Sequence, residues 1–202
     1  MATLQSMHDV FMHELRDLYS AERQLLKALP KMAKSAASPE LADAFTTHLH
    51  ETEGHKERLE QIFLSLGEKA GGVKCKGMEG LIDEGQDVLG MDGIATARDT
   101  AMIGAAQRVE HYEIAGYHSA ISLAQAQGHT EAVSLLQANL REEEHADQLL
   151  TDIAQRTMKD GDGSTMGSEM PVATPRSARN GARNRNGATR KHKASRAKSR
   201  AR

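Results

Sequence analysis

Apolar residues recur along the first 158 positions in alternating steps of three and four, the period of a helix with one buried face. Leu4, Met7, Phe11, Leu15, Leu18, Leu25, Leu29 and Met32 make the first such stripe and place a helix over about 4–35, with Pro30 expected to kink its last turns. Ser38-Pro39-Glu40 reads as a start signal, Ser as the cap and Pro in the first helical position. The second helix runs from there to about Leu66 and stops at Gly67. A Gly- and Lys-rich loop over residues 70–77 leads to a short helix around Met78–Leu89. A fourth helix spans about Ala95–Gln127 and stops at Gly128, and Thr130 opens a fifth that runs to about Met158.

Tight turns join the first helix to the second and the fourth to the fifth, so each pair is antiparallel. The 68–94 connection is long enough to travel the length of a bundle. Two hairpins joined by one long crossover is the connectivity of ferritin-like bundles. The expected fold is therefore all-α, a ferritin-like four-helix bundle whose crossover carries a short fifth helix. The halves also echo each other weakly: Leu49, Glu51, Leu59 and Ile62 superpose on Leu140, Glu142, Leu150 and Ile153, and Glu22 on Glu110 after a change of turn length.

Charged and polar residues interrupt every long stripe near mid-length. Glu22 lies inside the first. In the fourth helix Ile103, Ala106, Glu110, Glu113, Tyr117 and Ala124 share a face. The second carries Leu41, Phe45, His48, Thr52, His55, Leu59 and Ile62, with Glu51 beside the two histidines. The fifth has two overlapping rows, one with Leu136, Leu140, Glu143, Asp147 and Leu150, the other with Leu135, Ala138, Glu142, His145, Leu149 and Ile153. Unpaired buried carboxylates cost several kcal/mol each, so they must be protonated, paired or bound to metal. Arg58, Arg108 and Arg141 are too few to pair them all.

Carboxylate and imidazole together suit iron, manganese or zinc. Di-iron bundles take a Glu from each of two helices and a Glu-x-x-His from each of the other two. Glu22 and Glu110 match the first requirement, with Glu113 one turn on, and Glu142-x-x-His145 matches the second. The other Glu-x-x-His is replaced by Glu51 and His55, spaced four apart, which a π-bulge could absorb. His55 then either ligates or supports a ligand, and His48 is placed to hold a ligand carboxylate. A second register, with Glu143 and Asp147 in place of Glu142 and His145, stays open.

Composition narrows the field further. Six aromatics and no Trp argue against a β-sandwich, and one Cys excludes a disulfide framework or a Cys-rich metal site. Flanked by two lysines, Cys75 is either an activated thiol or a small loop residue. No stretch approaches 18 apolar residues, and the N-terminal segment lacks the basic and apolar regions of a secretory signal, so the expected location is cytoplasmic.

Charge divides the chain. Residues 1–158 hold 14 Lys and Arg against 25 Asp and Glu, a net of −11, whereas 159–202 carry a net of +9. Residues 159–175 read as a flexible linker and 176–202 as a disordered basic tail. The tail's Arg176, Arg179, Arg183, Arg185, Arg190, Lys191, Lys193, Arg196, Lys198, Arg200 and Arg202 are uninterrupted by acid or aromatic residues. That pattern suits nonspecific DNA or RNA association, and with it a nucleoid location, without base stacking.

Five blocks in order, Leu18-Tyr-Ser-Ala-Glu22, His48-Leu-His-Glu-Thr-Glu-Gly-His55, Cys75-Lys-Gly-Met-Glu-Gly-Leu81, Val109-Glu-His-Tyr-Glu-Ile114 and Leu140-Arg-Glu-Glu-Glu144, closely resemble the YciE/YciF family of ferritin-like proteins over about residues 4–156. The resemblance implies a ferritin-like bundle, a tendency to dimerise or form a higher homo-oligomer, a stress association and a dinuclear metal site. The Glu110-x-x-Glu113 and Glu142-x-x-His145 pairs also look like those of rubrerythrins, but the Cys-rich electron-transfer module is absent. Two functions follow: a dinuclear iron or manganese oxidoreductase that oxidises Fe²⁺ or consumes peroxide, or a non-enzymatic dimeric stress protein tethered to nucleic acid with structural or no metal.

Overall fold

A computed structural model of the chain describes residues 4–163, with side chains through Lys159. The expected basic tail and the linker beyond residue 163 lie outside the described residues. Five helices and no strand are present among the residues described: α1 (Met7–Ser35), α2 (Pro39–Ser65), α3 (Lys76–Leu89), α4 (Ala95–Ala126) and α5 (Thr130–Gly163). The order around the bundle is α1, α2, α5, α4, and α3 packs outside against α4 and α1. This is the ferritin-like arrangement, two helical hairpins with the third helix riding on the crossover. None of the described helices is long and apolar enough to cross a membrane.

Each helix end has a local cause. Ser6 Oγ accepts from Asp9 N at 3.2 Å and starts α1, which continues through Pro30 to Ser35. Ser38 occupies the capping position of α2, but its side chain makes no cap bond. The turn is held instead from α4, where buried Asp99 accepts from the Ala37 and Ser38 amides at 2.9 and 2.7 Å. Gly67 and Gly128 end the two hairpins' first arms at φ +71° and +76°, a region where a side chain is strained. The next amides, Glu68 N and His129 N, reach back to Phe63 O and Ala124 O at 2.9 and 3.0 Å. α5 passes the expected boundary at Met158, since each further residue adds a backbone hydrogen bond at small cost once a helix exists.

The core is two apolar clusters separated by a polar layer. Phe11, Leu15, Leu59, Ile62, Tyr117 and Leu136 belong to one cluster. Leu25, Leu29, Leu41, Phe45, Ile103 and Leu150 belong to the other. Between them in sequence on every long helix sit buried polar residues: Glu22, His48, Thr52, His55, Glu110, Glu113, Asn139 and Glu143. Apolar packing above and below holds that layer in place.

Cys75 is the small-residue case rather than the activated thiol. It is buried, caps α3 by accepting from Met78 N at 3.3 Å, and contacts Tyr112 Oη at 3.0 Å and Asp17 Oδ2 at 3.1 Å. Burial pushes its thiol above the usual range, and the neighbouring Lys74 pairs with Glu79 instead. Tyr112 is itself fixed by donating to Asp17 Oδ2 at 2.6 Å. Gly77 lies against that ring: a Cβ there would meet Tyr112 Cε2 at 2.6 Å. Gly77→Ala should therefore destabilise the protein by about 1–3 kcal/mol, despite a helix-propensity gain of roughly 0.5–1 kcal/mol. Denaturant unfolding checks this, and equal or higher stability would show that the ring moves aside freely.

Candidate metal centre

The four interior stripes run in the same alternation of four and three. They are Phe11, Leu15, Leu18, Glu22, Leu25, Leu29 on α1 and Leu41, Phe45, His48, Thr52, His55, Leu59, Ile62 on α2. On α4 they are Ala106, Glu110, Glu113, Tyr117, Ala120, Ala124, and on α5 Ala132, Leu136, Asn139, Glu143, Ala146, Leu150, Ile153. Because the polar members fall at mid-length on each helix, they meet in the bundle interior.

Two groups form there. His48, Glu110, Glu113 and Glu143 bring ligand-type atoms within 4.8 Å of one another, and so do Glu22, His55 and Glu143. Glu143 belongs to both. His48 Nε2 is 3.2 Å from Glu110 Oε2 and 3.6 Å from Glu143 Oε2. His55 Nδ1 is 2.9 Å from Glu143 Oε1 and 3.4 Å from Glu22 Oε1. These separations suit charge contact, yet most of the atoms lack an aligned hydrogen bond. Glu22 Oε2, His48 Nε2, His55 Nδ1, Glu110 Oε2 and both carboxyl oxygens of Glu113 and Glu143 are buried without a hydrogen-bond partner.

The outer nitrogen of each imidazole is occupied. His48 Nδ1 faces Glu51 Oε2 at 3.3 Å, and His55 Nε2 faces Glu142 Oε2 at 2.9 Å. Glu142 is gripped in turn by Arg58, whose Nη1 and Nη2 each donate at 2.8 Å. Arg58 also donates to Asn139 Oδ1 at 2.7 Å, Asn139 Nδ2 donates to Tyr117 Oη at 2.9 Å, and Tyr117 donates to Glu22. A chain of four side chains thus orients one carboxylate.

Electrostatics follow from this crowding. Burial pushes Glu113 well above the usual carboxylate range, with Glu22, Glu143 and Glu110 adding repulsion. Glu143 is pushed up to about 8 by burial, against the pull of His48 and His55. For Glu110 burial acts in the same sense, but His48 outweighs it and holds the carboxyl low. Burial alone would lower both imidazoles. The facing carboxylates win and raise them, Glu110 and Glu143 acting on His48, and Glu22, Glu142 and Glu143 on His55. His55 and Arg58 hold Glu142 down at about 2.

Of the sequence-derived candidates, Glu22, His55, Glu110 and Glu113 come together in the interior. Glu142 and His145 do not. Glu142 is about one-third exposed against Arg58, and His145 is exposed. Glu143, from the second register, is fully buried in the cluster, while its partner Asp147 turns toward α4, accepting from Gln107 Nε2 at 3.1 Å and lying 3.2 Å from His111 Nε2. The reason is rotation. The α5 stripe passes through Asn139 and Ala146, which a search for large apolar residues skips, and it runs between the two rows read from the sequence.

α2 shows the same effect. It is uninterrupted α-helix with no π-bulge, so Glu51, one residue before the inward Thr52, is rotated off the stripe. His48 and His55, two turns apart, are both buried, and Glu51 meets the outer nitrogen of His48 while the inner one faces Glu110 and Glu143. Asn139 was not singled out from sequence, Tyr117 was read only as a member of the α4 face, and Arg58 only as one of three bases near the stripes. The signal for the first two was present, since each lies on a stripe one turn from a buried carboxylate.

Residues 6–161 match the family described as "Domain of unknown function (DUF892)". The chain is 44% identical over 152 residues to the Escherichia coli K12 protein YciF, covering 75% of this chain and 92% of that one. The crystal structure of the E. coli stress protein YciF superposes with a TM-score of 0.75 at 43% identity, over 77% of this chain and 99% of that one. The Rhodopseudomonas palustris protein YcfI superposes with a TM-score of 0.71 at 44% identity, over 73% and 94%.

Proposed function

The chain belongs to the DUF892 family of YciF-like proteins, and from that premise we propose that its bundle holds a dinuclear iron or manganese centre acting in a stress response. The observation that carries this reading is the set of buried carboxylate and imidazole atoms that converge without hydrogen-bond partners. Native interiors rarely leave such atoms unpaired, and each costs on the order of 1–3 kcal/mol when they do. Cations supply the missing partners.

The donor set fits. Four carboxylates balance two divalent cations, and mixed oxygen and imidazole donors suit iron or manganese. His48, Glu110 and Glu113 would hold one ion, Glu22 and His55 the other, with Glu143 between them. His55 Nε2–H directed at Glu142 leaves Nδ1 as the inward donor atom, and His48 Nδ1–H directed at Glu51 leaves Nε2. Tyr117 orients Glu22, and the apolar clusters on both sides exclude bulk water. When bound, the metal pair supplies the redox chemistry of oxidising Fe²⁺ with O₂ or peroxide, or of disproportionating peroxide.

Metal analysis of the full chain, purified without chelators, tests this. We expect about two iron or manganese ions per chain, loss in Glu22→Ala/Glu110→Ala, and Fe²⁺ oxidation or peroxide consumption that disappears with them. A wild type that neither contains nor takes up Fe²⁺ or Mn²⁺ overturns it. The non-enzymatic dimeric reading would then stand, with imidazolium–carboxylate contacts neutralising the layer.

The basic residues from Arg176 to Arg202 add nonspecific nucleic-acid association to the proposal, bringing this chemistry beside DNA or RNA. DNA affinity should fall by at least about 10³ between 50 and 200 mM salt if six or more phosphates are neutralised. It should vanish when residues 176–202 are removed. Unchanged binding by the truncated chain in a filter or anisotropy assay would refute the tail's role.

A further inference from the structure

A cavity of about 320 Å³ opens between α1, α3 and α4, and none of the metal-centre residues lines it. Its walls are chiefly apolar, with Leu25, Met32, Leu81, Ile82, Leu89 and Val109 among them. The cavity arises because α3 lies loosely across the bundle. Met78 is its one buried residue among those described, and Leu81, Ile82 and Leu89 are only partly covered. The volume is that of a small-molecule site.

A second cavity, of about 240 Å³, adjoins it beside the loop Gly71–Lys74. Gln24, Lys27 and Lys74 line both. The charged residues of the two linings are Arg23, Lys27, Lys31 and Lys74, and no Asp or Glu lines either one. That is unusual on a segment holding 25 acids against 14 bases. Arg23 lies over the Tyr19 ring at 5.6 Å, and Lys74 pairs with Glu79. Lys27 and Lys31, one turn apart on α1, have no ion-pair partner among the described residues. An apolar space with unpaired cations at its mouth complements a ligand that is apolar at one end and anionic at the other.

We propose that the two cavities form one binding site for a free single-chain amphiphile with a carboxylate or phosphate head. The chain lies beneath α3 against Leu25, Ile82 and Leu89. The head sits at Lys27 and Lys31, with Lys74 able to exchange its exposed carboxylate partner for the ligand.

Displacement of 1-anilinonaphthalene-8-sulfonate fluorescence from the full-length protein tests this, with competitors kept below micelle formation. Decanoate and decyl phosphate should displace it saturably at one site per chain, at least about tenfold more tightly than decanol. Decyltrimethylammonium should not compete. Lys27→Glu/Lys31→Glu, on the exposed rim, should cost the two anions about tenfold or more and leave decanol unchanged. Ala28→Trp, filling the cavity, should abolish displacement by all of them while circular dichroism shows the helices intact. Equal affinity for decanol and decyl phosphate would reduce the site to a generic apolar patch. Competition by inorganic phosphate as strong as by decyl phosphate would remove the chain's role. Binding confined to anionic vesicles, or no displacement in a protein whose self-association covers α3, would overturn the proposal in favour of a membrane surface or a second copy.

Discussion

Glu143→Ala should abolish the uptake of both metal ions rather than one. Glu143 is the residue common to the two ligand groups, fully buried, with both carboxyl oxygens lacking a hydrogen-bond partner. Removing it takes an oxygen from each group and leaves His48, Glu110 and Glu113 separated from Glu22 and His55. The ion content of the full chain should fall from about two to near zero. Glu113→Ala makes the contrast, because Glu113 belongs to one group only and its loss should leave about one ion at Glu22, His55 and Glu143. Metal analysis after gel filtration distinguishes the two variants. A Glu143→Ala protein that keeps one tightly held ion would show that the groups do not share the residue.

The second large effect has opposite signs with and without metal. Glu113→Leu should stabilise the metal-free protein by about 1–3 kcal/mol and remove much of the stabilisation that metal confers. Both carboxyl oxygens of Glu113 are buried and unpartnered, and burial holds the group protonated well above the usual carboxylate range. In the metal-free chain this side chain is a neutral polar group with nothing to bond, and a leucine of similar size avoids that penalty. A bound ion reverses the order. Ligand present at 100 times its dissociation constant stabilises the native state by about 2.7 kcal/mol, which the leucine variant forfeits at that group. Denaturant unfolding with chelator and with added Mn²⁺ should therefore show the two stability curves exchanging rank. A metal-free variant less stable than wild type would mean that Glu113 finds partners in the interior without metal.

Helix identity and order were legible because the apolar steps of three and four persist through all four long helices, and because Gly67 and Gly128 mark ends that need positive φ. The Leu41-to-Ile62 stripe of α2 was read whole, both histidines included, since large apolar residues bracket each of them. α5 resisted. Its stripe passes through Ala132, Asn139 and Ala146, so two neighbouring rows look equally good by hydrophobicity, and the residue that reaches the interior belongs to the row without the Glu-x-x-His motif. The Glu51–His55 spacing misled in a similar way: a motif match describes distance along the helix and not the direction of the side chain.

The sequence by itself determined an all-helical chain with two hairpins, one long crossover, and a band of carboxylates and imidazoles at mid-length, because period and polarity are local properties. Only the tertiary structure decided which members of that band face one another. One residue along a helix is a rotation of about 100°. The rotation at which α5 buries Ala132, Asn139 and Ala146 therefore selects Glu143 over Glu142, and Arg58, brought in from α2, holds Glu142 at the rim. No residue's own preference contains that choice. It arises when four helices settle into one packing, with apolar clusters on either side of the polar layer.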